Sequence, residues 1–223
     1  MIITYYGMSC FKVQVGDSVL AFNPISKDSD LKPSRFSSDI AVISVNDKNY
    51  NGVSQVSGGS KELFVVDGPG EYEIAGTYIK GFPIEEEICL PTGDLPKGEK
   101  KKVINTVYSV LFEDVNICHL GALSVPEISS EIKEELGEID ILFVPVTGGD
   151  LLSISAAAKL VTSLEPKIII PVYGDEKGEQ KASLKSFLKE MGSEDTKPLE
   201  KLTIKKKDLE TKEGEVIVLE PAV

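Results

Sequence analysis

The stretch DIAVISVNDKNYNG, residues 39–52, decides how this chain is read. Ile40, Ala41, Val42 and Ile43 form an apolar run of the length a buried strand needs. Asn46, Asp47, Asn49 and Asn51 then crowd polar side chains into a loop that turns at Gly52. Such a crowd at the end of a strand marks either a ligand site or an ordinary turn. The choice depends on the rest of the chain.

On the amino-terminal side, β-rich runs lie at Tyr5-Tyr6, 10–15 and 18–22, the last two joined across Gly16-Asp17. The run that starts at Ile40 extends to Val45, and further strands are predicted at 63–66, 71–74, 77–80, 106–112 and 115–119. Residues 84–104 are charged and rich in Pro and Gly, which predicts a long charged loop. The second half alternates. A helix opens at the cap-like Ser124, with Pro126 in its first turn, and runs to about Leu136. A buried strand follows at 139–144, then a helix at 153–164 with Ile154, Ala157, Ala158, Val161 and Leu164 on one face. A strand at 167–171, a helix at 180–191 and strands at 202–205 and 215–219 complete the order. Strand runs followed by β-α alternation predict an α/β (α+β) fold of two sheets with helices outside, in one domain spanning 1–223.

Composition narrows the function. With 36 acidic against 24 basic residues, the net charge of −12 opposes binding to nucleic acid or an anionic membrane. The basic runs Lys100-Lys101-Lys102 and Lys205-Lys206-Lys207 read as solvated surface, one in a loop and one beside Asp208, Glu210, Glu213 and Glu215. No apolar run approaches the roughly 20 residues of a membrane helix, and the start reads as a strand, so a cytoplasmic chain is expected. Cys10, Cys89 and Cys118 are too scattered for a disulfide framework or a zinc ribbon. Cys118 adjoins His119, but neighbouring strand residues face opposite ways, which makes the pair a poor catalytic dyad. The glycines of 67–70 and of Thr147-Gly148-Gly149 read as tight turns rather than phosphate cradles.

Seven fragments, in order, carry a resemblance: YYGMSCFKVQ (5–14), AFNPIS (21–26), DIAVISVNDKNYNGV (39–53), VVDGPGEYEIAGTYIKGFP (65–83), ICHLGAL (117–123), DILFVPVTGG (140–149) and EPKIIIPVYG (165–174). Together they resemble the metallo-β-lactamase-fold hydrolases, in particular the small branch similar to ascorbate-6-phosphate lactonases. The resemblance implies an αββα sandwich with a metal site at the strand ends of one edge. In the family a His-x-His-x-Asp-His motif follows the strand equivalent to 40–44. A further His, a bridging Asp after His-Leu-Gly and a last His after Ile-Pro complete a set that holds zinc or manganese. The metal makes hydroxide from bound water near neutral pH.

This chain departs from that pattern at every ligand. The motif positions are Val45, Asp47, Asn49 and Tyr50, the bridging Asp is Ala122, and the last His is Tyr173. The remaining His falls after Pro83, where Ile84 and Glu85-Glu86-Glu87 stand. Gly7-Met8-Ser9 stands for Gly-His-Ser, and Asn23-Pro24 for Asp-Pro. Independently of register, one histidine cannot supply several imidazoles. Oxygen atoms of Asn46, Asp47 and Asn49, the Tyr173 phenol, and Glu86 or Asp175 remain, a set closer to magnesium or calcium chemistry than to zinc. The expectation is therefore a metal-free pseudoenzyme without cofactor, acting as a binding or assembly module. Met8, Val45, Asp47, Asn49, Tyr50, Ala122 and Tyr173 would line a pocket at the former metal site, with the two tyrosines filling its volume. Self-association, or pairing with an active relative, follows from the resemblance. The alternative is a hydrolase of phosphoester, lactone or ester substrates, with unusual ligands or no metal, in which Asp47 or His119 is the base.

Overall fold

The computed structural model describes residues 1–59, 62–88, 100–174 and 179–222. A first sheet contains β1 (Ile2–Tyr5), β2 (Phe11–Val15), β3 (Ser18–Phe22), β4 (Ile40–Val42), β5 (Phe64–Val66) and β12 (Leu202–Thr203), in the order β12-β1-β2-β3-β4-β5. A second contains β6 (Gly70–Ile74), β7 (Thr77–Ile88), β8 (Lys101–Phe112), β9 (Val115–His119), β10 (Ile141–Pro145), β11 (Ile168–Val172) and β13 (Glu215–Val216), in the order β13-β11-β10-β9-β8-β7-β6. Both sheets are mixed. β1, β2 and β3 pair antiparallel while β3, β4 and β5 pair parallel, and β6 to β9 pair antiparallel while β9, β10 and β11 pair parallel.

The parallel strands β10 (ILFVP) and β11 (IIIPV) are buried along their whole length, as strands covered on both faces must be. Between the sheets, Phe11 stacks on Tyr5 at 4.6 Å and meets Phe143 at 4.2 Å, so aromatic rings join the two layers. Helix α3 (Ile154–Leu164) turns Ala157, Leu160, Val161 and Leu164 inward, and Ser153 caps it by accepting from the Ala156 N–H at 3.3 Å. Helix α4 (Glu179–Glu190) lies against α3. On the first sheet the outer layer is thin: α1 (Val53–Val56) puts Val56 onto Ala21, Ala41 and Ile43. The architecture is the two-sheet sandwich with flanking helices that the sequence predicts.

Several local expectations are corrected. Residues 84–104 are not one loop: Ile84–Ile88 continue β7, and residues 101–104 begin β8. The two strands pair Glu85 with Ile104, Glu87 with Lys102 and Ile88 with Lys101. Alternation explains the misreading, because Glu85 and Glu87 face solvent while Glu86 and Ile88 are buried. The helix predicted from Ser124 is α2 (Ser130–Leu136), capped by Ser129, because Ser124 is held by the Glu86 carboxylate. The strand from Ile40 ends at Val42, although the Ile43 N–H still donates to Val66 O at 2.8 Å. The last strands are shorter than predicted, and Lys206–Leu209 form a helical turn, α5. Cys89 and Asp175 lie outside the described residues.

Candidate functional site

The loop after β4 is built by its own polar groups. Asp47 Oδ1 accepts the Asn49 N–H at 2.9 Å, and Asp47 O accepts from Tyr50 N at 2.9 Å and Asn51 N at 2.7 Å. Asn49 Oδ1 accepts from the Ser29 hydroxyl, and Asn51 Nδ2 donates to Asn46 Oδ1 at 2.9 Å. Gly52 then lies directly against the 25–26 backbone, where a Cβ would stand 2.4 Å from Ile25 C and Ser26 N. Its N–H donates to Pro24 O at 2.6 Å. The polar crowd is thus largely spent on holding the turn.

Two buried asparagines fix the surrounding loops: Asn23, which stands at the Asp-Pro position noted in the sequence, and Asn105, which the sequence reading missed. Asn23, at φ 43, accepts from Ser44 N at 2.7 Å and donates to the hydroxyls of Ser44 and Ser9. Asn105 accepts from Ala122 N at 2.9 Å and donates to Leu120 O at 3.0 Å. These contacts aim residues 45, 50 and 122 at a common point, and the side chains arriving there are apolar. Val45, Tyr50, Ala122 and Ile88 form a buried cluster, with Met8, Val103 and Leu151 packed around it. Ile88, Val103 and Leu151 were missed; the signal was the period-two pattern Ile84, Glu86, Ile88 inside the charged stretch.

Tyr173 sits on the main-core side of this cluster. Its ring lies 5.4 Å from that of Tyr5, and its hydroxyl donates to Leu219 O at 2.6 Å. Tyr5 in turn donates to Met8 O at 2.9 Å. Burial raises the pKa of Tyr50, and the nearby Asp47 charge adds to this. Asp47 is the one polar side chain of the loop left incomplete. It is 6% exposed, its Oδ2 has no hydrogen-bond partner, and burial raises its pKa against the pull of the Asn49 N–H, Lys48 and Lys101.

His119 is elsewhere. It is fully buried, stacked on Phe22 at 5.0 Å and beside Phe143 at 5.3 Å. Its Nδ1 accepts the Gly121 N–H at 2.9 Å, so Nε2 carries the proton and faces Ser9 O at 3.3 Å. Burial lowers its pKa to about 3. Both ring nitrogens are therefore engaged, and neither points at a site. Burial also pushes the Cys10 thiol up to about 12, beside Ser34, and raises that of Cys118.

The metal implied by the resemblance does not fit these residues. Zinc wants about four nitrogen, sulfur or carboxylate donors, and two of the positions are the hydrocarbon side chains Val45 and Ala122. Among the described residues, no group of three or more His, Cys, Asp or Glu converges to hold an ion. Glu86, a remaining oxygen candidate, is occupied by the Ser124 N–H and hydroxyl. Among the same residues no helix is long and apolar enough to cross a membrane.

The comparisons agree with the fold. Residues 2–173 match the β-lactamase superfamily domain. A protein of Thermotoga maritima assigned as a zinc-dependent hydrolase of the metallo-β-lactamase superfamily is 26% identical, with a TM-score of 0.74 and 98% of each chain covered. Igni18, a metallo hydrolase of Ignicoccus hospitalis, is 17% identical at a TM-score of 0.62, covering 100% of this chain and 96% of its own. An isothiocyanate hydrolase from Delia radicum gut bacteria shares the fold at 10% identity, with a TM-score of 0.61 and coverage of 100% and 98%. Among curated proteins, none matches significantly. With the family match spanning most of its length, and a sandwich superposable on metallohydrolases over nearly the whole chain, this chain belongs to the β-lactamase superfamily in its metallo-β-lactamase fold.

Proposed function

We propose that this chain is a metal-free member of its superfamily, a pseudoenzyme that works as a binding or assembly module. The observation that carries the reading is the cluster in which Val45, Tyr50 and Ala122, at three positions where the resemblance puts metal ligands, pack with Ile88. A catalytic metal site keeps an open position for water or substrate, and side chains here meet across that space. Equilibrium dialysis against micromolar zinc tests the proposal. No saturable binding is expected, and one tightly held ion per chain that is lost on Asp47→Ala substitution would contradict it.

A second reading has one observation behind it, the unpartnered Asp47 Oδ2 with its raised pKa. A carboxylate so placed is the residue best suited to act as a general base in a metal-independent hydrolase. Its test is turnover of lactone, ester and phosphoester substrates by the parent chain and by Asp47→Ala. Activity abolished by that substitution would favour this reading, and its absence from the parent removes it.

A further inference from the structure

We propose that the cleft at the opposite edge of the sandwich docks an extended, basic segment of a partner protein, added as a strand to β5. The cleft has a volume of about 590 Å³, and Val19, Ile40, Phe64, Ile74 and Phe112 give it apolar walls. That size lies within the usual range for ligand sites, roughly 300–1,000 Å³. It opens at the starts of β4 and β5 and beside the β6–β7 and β8–β9 turns, whereas the cluster of Val45 and Ala122 lies beyond the ends of β4 and β9.

Three observations choose the occupant. Among the described residues, β5 is the last strand of its sheet and pairs only with β4. Phe64 N donates to Asp39 O and Val66 O accepts from Ile43 N, both toward β4. Alternation in a parallel strand then turns the N–H and C=O of Val65 outward, available to another strand. Phe64, in that edge strand, is 43% exposed and lines the cleft as an apolar anchor. The rim is acidic: Glu62 and Glu113 are exposed and border the cleft, in a chain of net charge −12. An added strand supplies main-chain hydrogen bonds, an alternate apolar side chain fills the cleft, and flanking Lys or Arg meets the rim. The turns beside it fit a built wall, since Ala75 (φ 51) and Glu113 (φ 50) hold side chains in a left-handed conformation that Asn or Gly adopts more readily.

This names a partner class for the assembly role proposed above and rests on that reading, but its test involves neither metal nor turnover, so either can fail alone. The probe is a fluorescent Lys-Val-Lys-Phe-Lys-Val-Lys peptide, with the Glu-for-Lys peptide as control, titrated with the full chain at physiological salt. The basic peptide should bind saturably, with a Kd of about 10–100 μM for so short a strand, and the acidic one at least about tenfold more weakly. Phe64→Glu and Val65→Pro should each weaken binding about tenfold or more; Pro at 65 removes only the outward N–H. Phe64→Glu separates docking from adsorption, because it adds negative charge to a chain already at −12. Equal or tighter binding by that variant, equal binding of the two peptides, or no saturation overturns the proposal. Amide chemical shifts of the unmodified chain give a check that needs no variant. Changes confined to β5 and the two turns support docking, and changes centred on residues 45–50 refute it.

Discussion

His119, the only imidazole in the chain, shows how burial fixes chemistry at a single residue. Its folded pKa of about 3 lies below the ordinary value near 6.5. Between those values the unfolded chain takes up a proton that the folded chain refuses. The stability it contributes is therefore present above pH 6.5 and lost as pH falls toward 3, by about 1.4 kcal/mol per pH unit. Urea unfolding of the parent and His119→Gln between pH 4 and 8 should show a gap that narrows by that slope on acidification; a gap independent of pH would contradict the assignment. Asp47 has the opposite sign, being an acid whose folded pKa is raised. Its favourable contribution exists at low pH and is lost as pH rises through the folded pKa. Asp47→Asn should accordingly gain about 1 kcal/mol over the parent at pH 8, by removing an ionised oxygen without a partner, with the gain fading near pH 4. At Gly52 the constraint is space, since a Cβ would meet backbone at 2.4 Å. Gly52→Ala should cost about 2 kcal/mol or more in chemical denaturation. The missing histidines were legible in the sequence. The hydrogen bonds of Asn23 and Asn105 were not, because they join loops distant in sequence.

At the scale of elements, strands with clean apolar patterns read correctly. β10 and β11 are unbroken apolar runs, and α3 carries its inward face at helical spacing. The long β7–β8 ladder did not read, although its register binds 11 residue pairs from Tyr78–Leu111 to Ile88–Lys101. Charge density hid it: one face of this ribbon is solvated, and Glu85, Glu87 and Lys102 are ordinary residues for that face. The ribbon matters because it delivers Ile88 and Val103 into the cluster of Val45, Tyr50 and Ala122. Ile88→Ala and Tyr50→Ala should each lose about 3 kcal/mol, measured by urea denaturation, as buried large-to-small changes do. Ala122→Asp should be at least as damaging, since it sets a carboxylate among hydrocarbon side chains with no metal to receive it. A near-neutral Ala122→Asp would mean that the space is wet and open, which a closed apolar cluster forbids.

For the whole molecule, fold and family agree. The sandwich superposes on a Thermotoga maritima relative over 98% of both chains, so the two share one scaffold. At the edge of this chain stand Val45, Tyr50 and Ala122, packed as an apolar cluster, with Tyr173 bonded to Leu219 O beside them. Fold alone assigns no activity; the side chains at the edge decide it. Metal content is the most direct measure. The chain and the Thermotoga maritima relative, produced side by side in medium supplemented with zinc, manganese and iron, would be quantified by inductively coupled plasma mass spectrometry after purification. A metal-free edge predicts that this chain carries far less than one ion per molecule, whatever the relative retains. A stoichiometric ion in this chain, displaced by changes at Asp47 or Tyr50, would contradict it.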